Sequence, residues 1–311
     1  MKVIWKLITG ILLTTTCCSW GFFAHYHINH LAVFILPEKM KGFYETNIQY
    51  LTEHAVSADK RRYVDSNEAP KHFLNADHFG KNPFSAIPQN YYDAAIKFTA
   101  DTINKYGILP WAIQNNYFSL VRALKQHDTT AILAISANLG HYIADAHVPL
   151  HLTENYNGQL TNQNGVHALW ENRIPELLFS NYHLYRRKPY YITSAIKEAF
   201  SICKVSFKCV DSVLKYESIT NKSFSMQNKY SLVLHGKKKI KDYGVAYTLA
   251  YNKLLNGMVE RRMRSAILSI SSFWFSAWID AGEPDLNKLI KTPLKKSELK
   301  ALRIEQLKFI K

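Results

Sequence analysis

Apolar residues recur at helical spacing along most of the chain, and strict apolar–polar alternation is rare. The spacing predicts helices over 27–35, 39–54, 91–105, 110–125, 129–147, 167–179, 192–216 and 243–281. The longest of these stops at Gly282-Glu283-Pro284, where a glycine and a proline end helical geometry. No internal repeat and no Gly/Ser-rich or Pro-rich linker divides the pattern. The expected architecture is all-α, with one mainly helical domain over residues 20–290.

The two ends depart from this pattern. Lys2 and Lys6 precede a short apolar run, Leu7–Leu13, and small or polar residues follow to Ser19. That is the layout of a secretory signal peptide over residues 1–19, cut between Ser19 and Trp20. The run is too short for a membrane span, which needs about 20 apolar residues. An uncleaved anchor, or a lipid on Cys17 or Cys18, is the alternative. The expected location is therefore exported: periplasmic, cell-envelope or secreted. At the other end, residues 291–311 carry Lys295, Lys296, Lys300, Arg303 and Lys308 beside Leu299, Leu302, Leu307 and Ile310. This basic amphipathic tail is read as a solvated end helix outside the core, with docking to an anionic membrane surface as the alternative. A second basic stretch, His235-Gly236-Lys237-Lys238-Lys239, reads as a loop.

Composition supports the helical reading. The 311 residues are 47% apolar, with only 12 Gly and 10 Pro, which disfavours a turn-rich β-sandwich. The formal charge of +15 suits polyanionic partners such as nucleic acid or anionic lipid. No obligate protein partner is evident. Cys203 and Cys209 stand six apart in predicted helix, too far around for a ready bridge, and are expected as buried thiols, a disulfide being the lesser alternative.

The chemistry gathers in five places. In Gly140-His141-Tyr142-Ile143-Ala144-Asp145-Ala146-His147-Val148-Pro149-Leu150-His151, His141 and Asp145 lie one helical turn apart, on one face, and can share a divalent metal. Pro149 ends the helix, so His151 leaves that face and can reach another point of the same cavity. His147 falls on the opposite side and is expected to be structural. His167 and Glu171 repeat the four-residue spacing, and with His151 they form a three-ligand set of the kind that leaves a coordination position open for water. Trp20 and His25 lie close together at the start of the mature chain, whose free amine and first carbonyl are also potential ligands. Asp59 precedes Lys60-Arg61-Arg62, and His72 precedes Phe73; each is ambiguous alone. His27 and His30 are nearby, but their spacing does not select them. Arg61 and Arg62 are read as surface salt-bridge partners rather than phosphate contacts.

Together these residues resemble the superfamily that joins bacterial zinc-dependent phospholipases C to single-strand nucleases of the S-one/P-one type. The match runs from Trp20 to Glu171. It comprises Trp with His five residues later, Asp before basic residues, His before an aromatic, His-x3-Asp-x5-His, and His-x3-Asp/Glu. The resemblance implies a trinuclear Zn2+ site. One ion would take Asp59, His72, His141 and Asp145. A second would take the Trp20 amine and carbonyl with His25 and the bridging Asp145. The third would take His151, His167 and Glu171. It also implies hydrolysis of phosphoesters, with Asp59 and Asp145 at the catalytic centre and Phe73 and Asn75 on the substrate side. Glu171 favours a phospholipase C-like substrate, because the nucleases carry Asp there, and the loop 155–165 lacks their Gly-Gly-Asn signature. Phe73 stands where the nucleases stack a base, although Asn75 replaces their Asp. Phospholipid and single-stranded nucleic acid thus both remain as substrates. A non-catalytic, zinc-stabilised envelope binding protein is the alternative from another class.

Overall fold

A computed structural model describes residues 22–184, 187–235 and 238–308; Trp20 and the expected leader lie outside them. The longer helices are α1 (Phe22–Phe34), α2 (Glu38–Thr46), α3 (Leu109–Lys125), α4 (Thr129–His147), α5 (Ala195–Phe207), α6 (Val210–Lys222), α7 (Val245–Leu255), α8 (Met258–Asp280) and α9 (Lys296–Lys308). Short helical turns connect them. The expectation of a mainly helical domain holds, and the sheet among the described residues is a two-stranded hairpin. None of the described helices is long and apolar enough to cross a membrane.

The apolar stretch 129–147 becomes the axis of the fold. Asp128 caps α4 by accepting a hydrogen bond from the Ala131 N–H at 3.0 Å. Pro149 sets its end: Val148 is extended, and the chain turns into the 3₁₀ segment Pro149–Leu152. Around α4 pack α1, α3, α5 and α8. Trp274 of α8 is fully buried and donates its indole N–H to the Ser136 carbonyl at 3.1 Å. Ser271 donates to the Ala32 carbonyl at 2.7 Å, joining α8 to α1.

The α1–α4 contact depends on a missing side chain. A Cβ on Gly140 would stand 2.2 Å from the Asn29 Oδ1. Asn29 cannot swing away freely, because its amide nitrogen donates to the carbonyls of Ala137 (3.2 Å) and Leu51 (3.5 Å). Glycine thus lets the two helices close at that level. One turn up from Asn29 is His25, and next to Gly140 is His141; their rings stack with centroids 4.3 Å apart.

Four expectations are corrected. Several long helices are split. The stretch 39–54 breaks at Asn47 and 91–105 at Thr99, where φ is +68°. The stretch 192–216 breaks at Lys208–Cys209, after which α6 runs on to Lys222. The stretch 243–281 breaks at Asn256-Gly257, both left-handed, a conformation these two residue types adopt at little cost. Within the stretch expected as a loop, His235, Lys238 and Lys239 belong to the strands of a hairpin, β1 (Tyr230–His235) against β2 (Lys238–Tyr243), while Gly236 and Lys237 lie outside the described residues. Its alternation was hidden by consecutive lysines. The tail is the expected end helix, with none of its described residues buried, but it is tied to the domain. In α9, Arg303 donates to Glu45 at 2.8 and 3.3 Å, Glu305 pairs with His30 at 3.1 Å, and Gln306 donates to the Phe34 carbonyl. Finally, Cys203 is a buried free thiol as expected, but Cys209 is only half-buried; it is also free.

Gly140→Ala is expected to destabilise the protein by about 1–3 kcal/mol, the range for forcing an extra methyl into a packed contact. The midpoint of chemical unfolding reads the change, and an unchanged midpoint would contradict the close-approach argument.

Candidate metal centre

Seven separate elements deliver side chains to one place. His25 comes from α1, Asp59 from the short helix Ser57–Arg61, and His72 from the turn Ala69–His72. His141 and Asp145 come from α4, and His151 from the turn after Pro149. His167 lies in Val166–Ala168 and Glu171 in the π-helical turn Leu169–Arg173. A plain helix was expected here. Pro175 has no N–H to give the Glu171 carbonyl, so the α-helical ladder is interrupted at that residue.

Three sets of possible ligand atoms lie within 4.8 Å of one another: His25, His141 and Asp145; Asp59, His72 and His141; and His151, His167 and Glu171. Asp145 ties the sets together. Its Oδ2 stands 3.0 Å from His72 Nδ1 and 3.3 Å from His141 Nε2, while its Oδ1 stands 3.3 Å from His25 Nε2 and 3.8 Å from His151 Nε2. Glu171 is the second junction, with Oε2 at 2.6 Å from His167 Nε2 and Oε1 at 3.1 Å from His25 Nε2. All eight expected side chains within the described residues therefore meet. His147 turns away as expected, its Nδ1 donating to the Ile143 carbonyl and its Nε2 lying near Ser269.

Backbone carbonyls decide which ring nitrogen faces the cluster. His141 Nδ1 lies 2.8 Å from the Ala55 carbonyl, His151 Nδ1 2.6 Å from that of His72, and His167 Nδ1 3.1 Å from that of Tyr156. A carbonyl only accepts, so each Nδ1 carries a proton, and Nε2 is the nitrogen that faces the cluster and can bind a cation once its own proton is displaced. His72 is reversed: its Nδ1 faces Asp145, and its Nε2 lies 3.5 Å from Glu68 Oε1. Such fixed tautomers are what metal ligation requires. The His/Asp/Glu sets can hold metal ions.

Electrostatics makes the same point. Burial opposes charge on His25, His72, Asp145, His151 and Glu171, yet nearby opposite charges outweigh it. Burial works against protonating His25, but the Asp145 and Glu171 carboxylates outweigh it and raise its pKa well above the usual value. Burial also opposes charge on His72, and Asp145 and Glu68 raise it. For His151, burial is again outweighed by Asp145 and Glu171, and the pKa rises to about 9. Burial would raise Asp145, but His141 and His151 hold it well below the carboxylate range. Glu171 is likewise held low against burial by His151, His167 and His25.

The cluster, His141 excepted, lines a cleft of about 710 Å³ together with Phe73, Asn75, Tyr63, Tyr156 and Asn172. Asp59 is the acid open to this cleft, with 20% of its side chain exposed against 1% for Asp145. Arg61 and Arg62 are salt-bridged, as expected, to Glu68 and Asp59. Glu68 itself went unnoticed in the sequence. It is buried, accepts from Arg61 at 3.1 Å, Lys71 at 2.9 Å and the Tyr142 hydroxyl, and backs His72. Its place four residues before His72 is the same spacing that marked the other His/acid pairs. No family model matches the chain, and no curated protein matches it.

Metal uptake by the metal-free protein should release protons at neutral pH. The pKa of His151 rises from 6.5 to about 9 in the fold, so below about 9 a cation must displace its proton, and affinity should climb as pH rises. The same shift stabilises the metal-free fold fully below pH 6.5, and that contribution fades as pH passes about 9. Calorimetric titration in buffers of different ionisation enthalpy measures the release; heats independent of buffer would contradict it.

Proposed function

We propose that the protein is an exported, zinc-dependent phosphoester hydrolase of phospholipase C-like type. The observation that carries this is the convergence of His25, Asp59, His72, His141, Asp145, His151, His167 and Glu171 from distant parts of the chain, all but His141 lining an open cleft. The donor set suits zinc: imidazoles and carboxylates, with tautomers fixed by backbone carbonyls. Three ions are proposed, with the Trp20 amine and carbonyl completing the set around His25 and Asp145. When bound, zinc acts as a Lewis acid on the phosphoryl group and lowers the pKa of water into the neutral range.

The chain's own groups then have distinct tasks. Asp145, buried and within 3.8 Å of His25, His72, His141 and His151, fixes the spacing of these rings. Asp59, at the cleft wall, orients the attacking water and can accept its proton. Phosphorus gains a bond to the water oxygen and loses its bond to the leaving alcohol, and the water proton ends on that alcohol. His151, His167 and Glu171 occupy the far end of the cluster, where the leaving oxygen departs in an in-line attack. Open access from the cleft supports catalysis over a closed, purely structural metal site.

A second reading, cleavage of single-stranded nucleic acid, is favoured by one observation. Phe73 and Asn75 share the cleft with Tyr63 and Tyr156, whose rings are mostly exposed and free to stack on bases. Glu171 in place of Asp keeps the phospholipase reading first.

Parallel assays on a chromogenic phosphocholine ester and on single-stranded RNA, with and without chelator, separate these readings. Chelator-sensitive turnover of the ester is expected; turnover of RNA alone would shift the assignment to a nuclease, and metal binding with neither activity would end it. Asp145→Asn is expected to lower turnover by more than about 100-fold, the upper end of what outer-shell partners of a metal contribute. Near-normal turnover would remove Asp145 from the centre.

A further inference from the structure

The β1–β2 hairpin has a face that changes character along its length. Tyr230 pairs with Tyr243, Leu232 with Lys241, and Leu234 with Lys239, and directly opposed residues share a face. At the base, the Tyr230 and Tyr243 rings lie 5.1 Å apart, and Tyr243 stacks on Tyr247. The buried Lys229 ammonium lies 5.1–5.9 Å from these three rings and is paired with Glu217 at 2.9 Å. Beyond the tyrosines the same face presents two leucines, 72% and 65% exposed, opposite two exposed lysines.

We propose that this outer face is a lipid-docking surface that seats the protein on an anionic bilayer. Leu232 and Leu234 enter the headgroup boundary, while Lys239 and Lys241 meet anionic headgroups with their stems lying along the apolar side chains. Charge supports this occupant. Residues 230–243 hold four lysines and one acid, Asp242, which lies 3.5 Å from Arg173. Solvation alone does not call for two adjacent same-face leucines on an exposed strand, and such a strand is normally guarded by charge. A nucleic-acid surface would offer stacking rings, and the outer part of this face has none.

The arm is also fixed relative to the cleft. Arg173 donates to the Tyr243 carbonyl at 3.1 Å, and the Tyr243 hydroxyl donates to the Asn164 carbonyl at 3.2 Å. Those two partners flank the segment that carries His167 and Glu171. Docking is independent of the proposed hydrolysis, because it is read by vesicle binding and not by turnover.

The test is flotation of the full chain with vesicles of phosphatidylcholine alone and of phosphatidylcholine mixed with phosphatidylserine. Wild-type protein should float with the mixed vesicles and be released by high salt. Leu232→Ser/Leu234→Ser and Lys239→Glu/Lys241→Glu should each weaken partitioning by about tenfold or more. Circular dichroism and melting should stay unchanged, and if the leucine variant unfolds the lysine variant decides. Lys296→Glu/Lys300→Glu in α9 should float as wild type does. The proposal is overturned if both hairpin variants float normally, or if only the α9 variant is impaired. It is equally overturned if the chain ignores vesicles and binds a single-stranded oligonucleotide through the lysines alone.

Discussion

Asp145 and Glu171 are buried carboxylates within a few ångströms of five imidazoles, and most of the molecule is arranged around keeping them there. An unpaired buried charge is among the most destabilising features a fold can carry. These two remain ionised because imidazoles and, on the proposed reading, divalent cations surround them. The arrangement must then be rigid, since a shift of one helix would strand a charge. Rigidity comes from backbone carbonyls that lock the rings of His141, His151 and His167, and from Glu68, which backs the reversed ring of His72.

That demand reaches into the helix packing. His25 and His141 belong to helices that approach closely because position 140 has no side chain and because Asn29 is held by two carbonyls. α8 supports both helices from behind through Ser271 and Trp274. The break at Pro149 carries His151 off the α4 face and back toward Asp145. Packing, helix termination and ligand placement are here one problem.

How much of this the sequence disclosed varies with the physical range of each feature. The His141/Asp145 and His167/Glu171 pairs are local, so their spacing exposes them directly, as does the helix stop at Pro149. Asp59 carries no local signal and His72 only its spacing to Glu68; the resemblance selected both, because their partners in the cluster lie far away in the chain. Glu68 shared the four-residue spacing with His72 and was overlooked among other acidic residues. The π-helical turn at Leu169–Arg173 depends on a proline downstream and on the ring positions it serves, neither of which periodicity records. The hairpin was concealed because lysines fill the positions where alternation would have appeared. The docking of α9 rests on long-range pairs, Arg303 with Glu45 and Glu305 with His30, that no window of sequence contains.

The proposed activity depends on metal ions sitting among these side chains, and X-ray diffraction from crystals grown with zinc, recorded on both sides of the zinc absorption edge, addresses that directly. The account predicts anomalous peaks between His25, His141 and Asp145, between Asp59, His72 and His141, and between His151, His167 and Glu171. Density without any anomalous peak in this cluster at saturating zinc would contradict it.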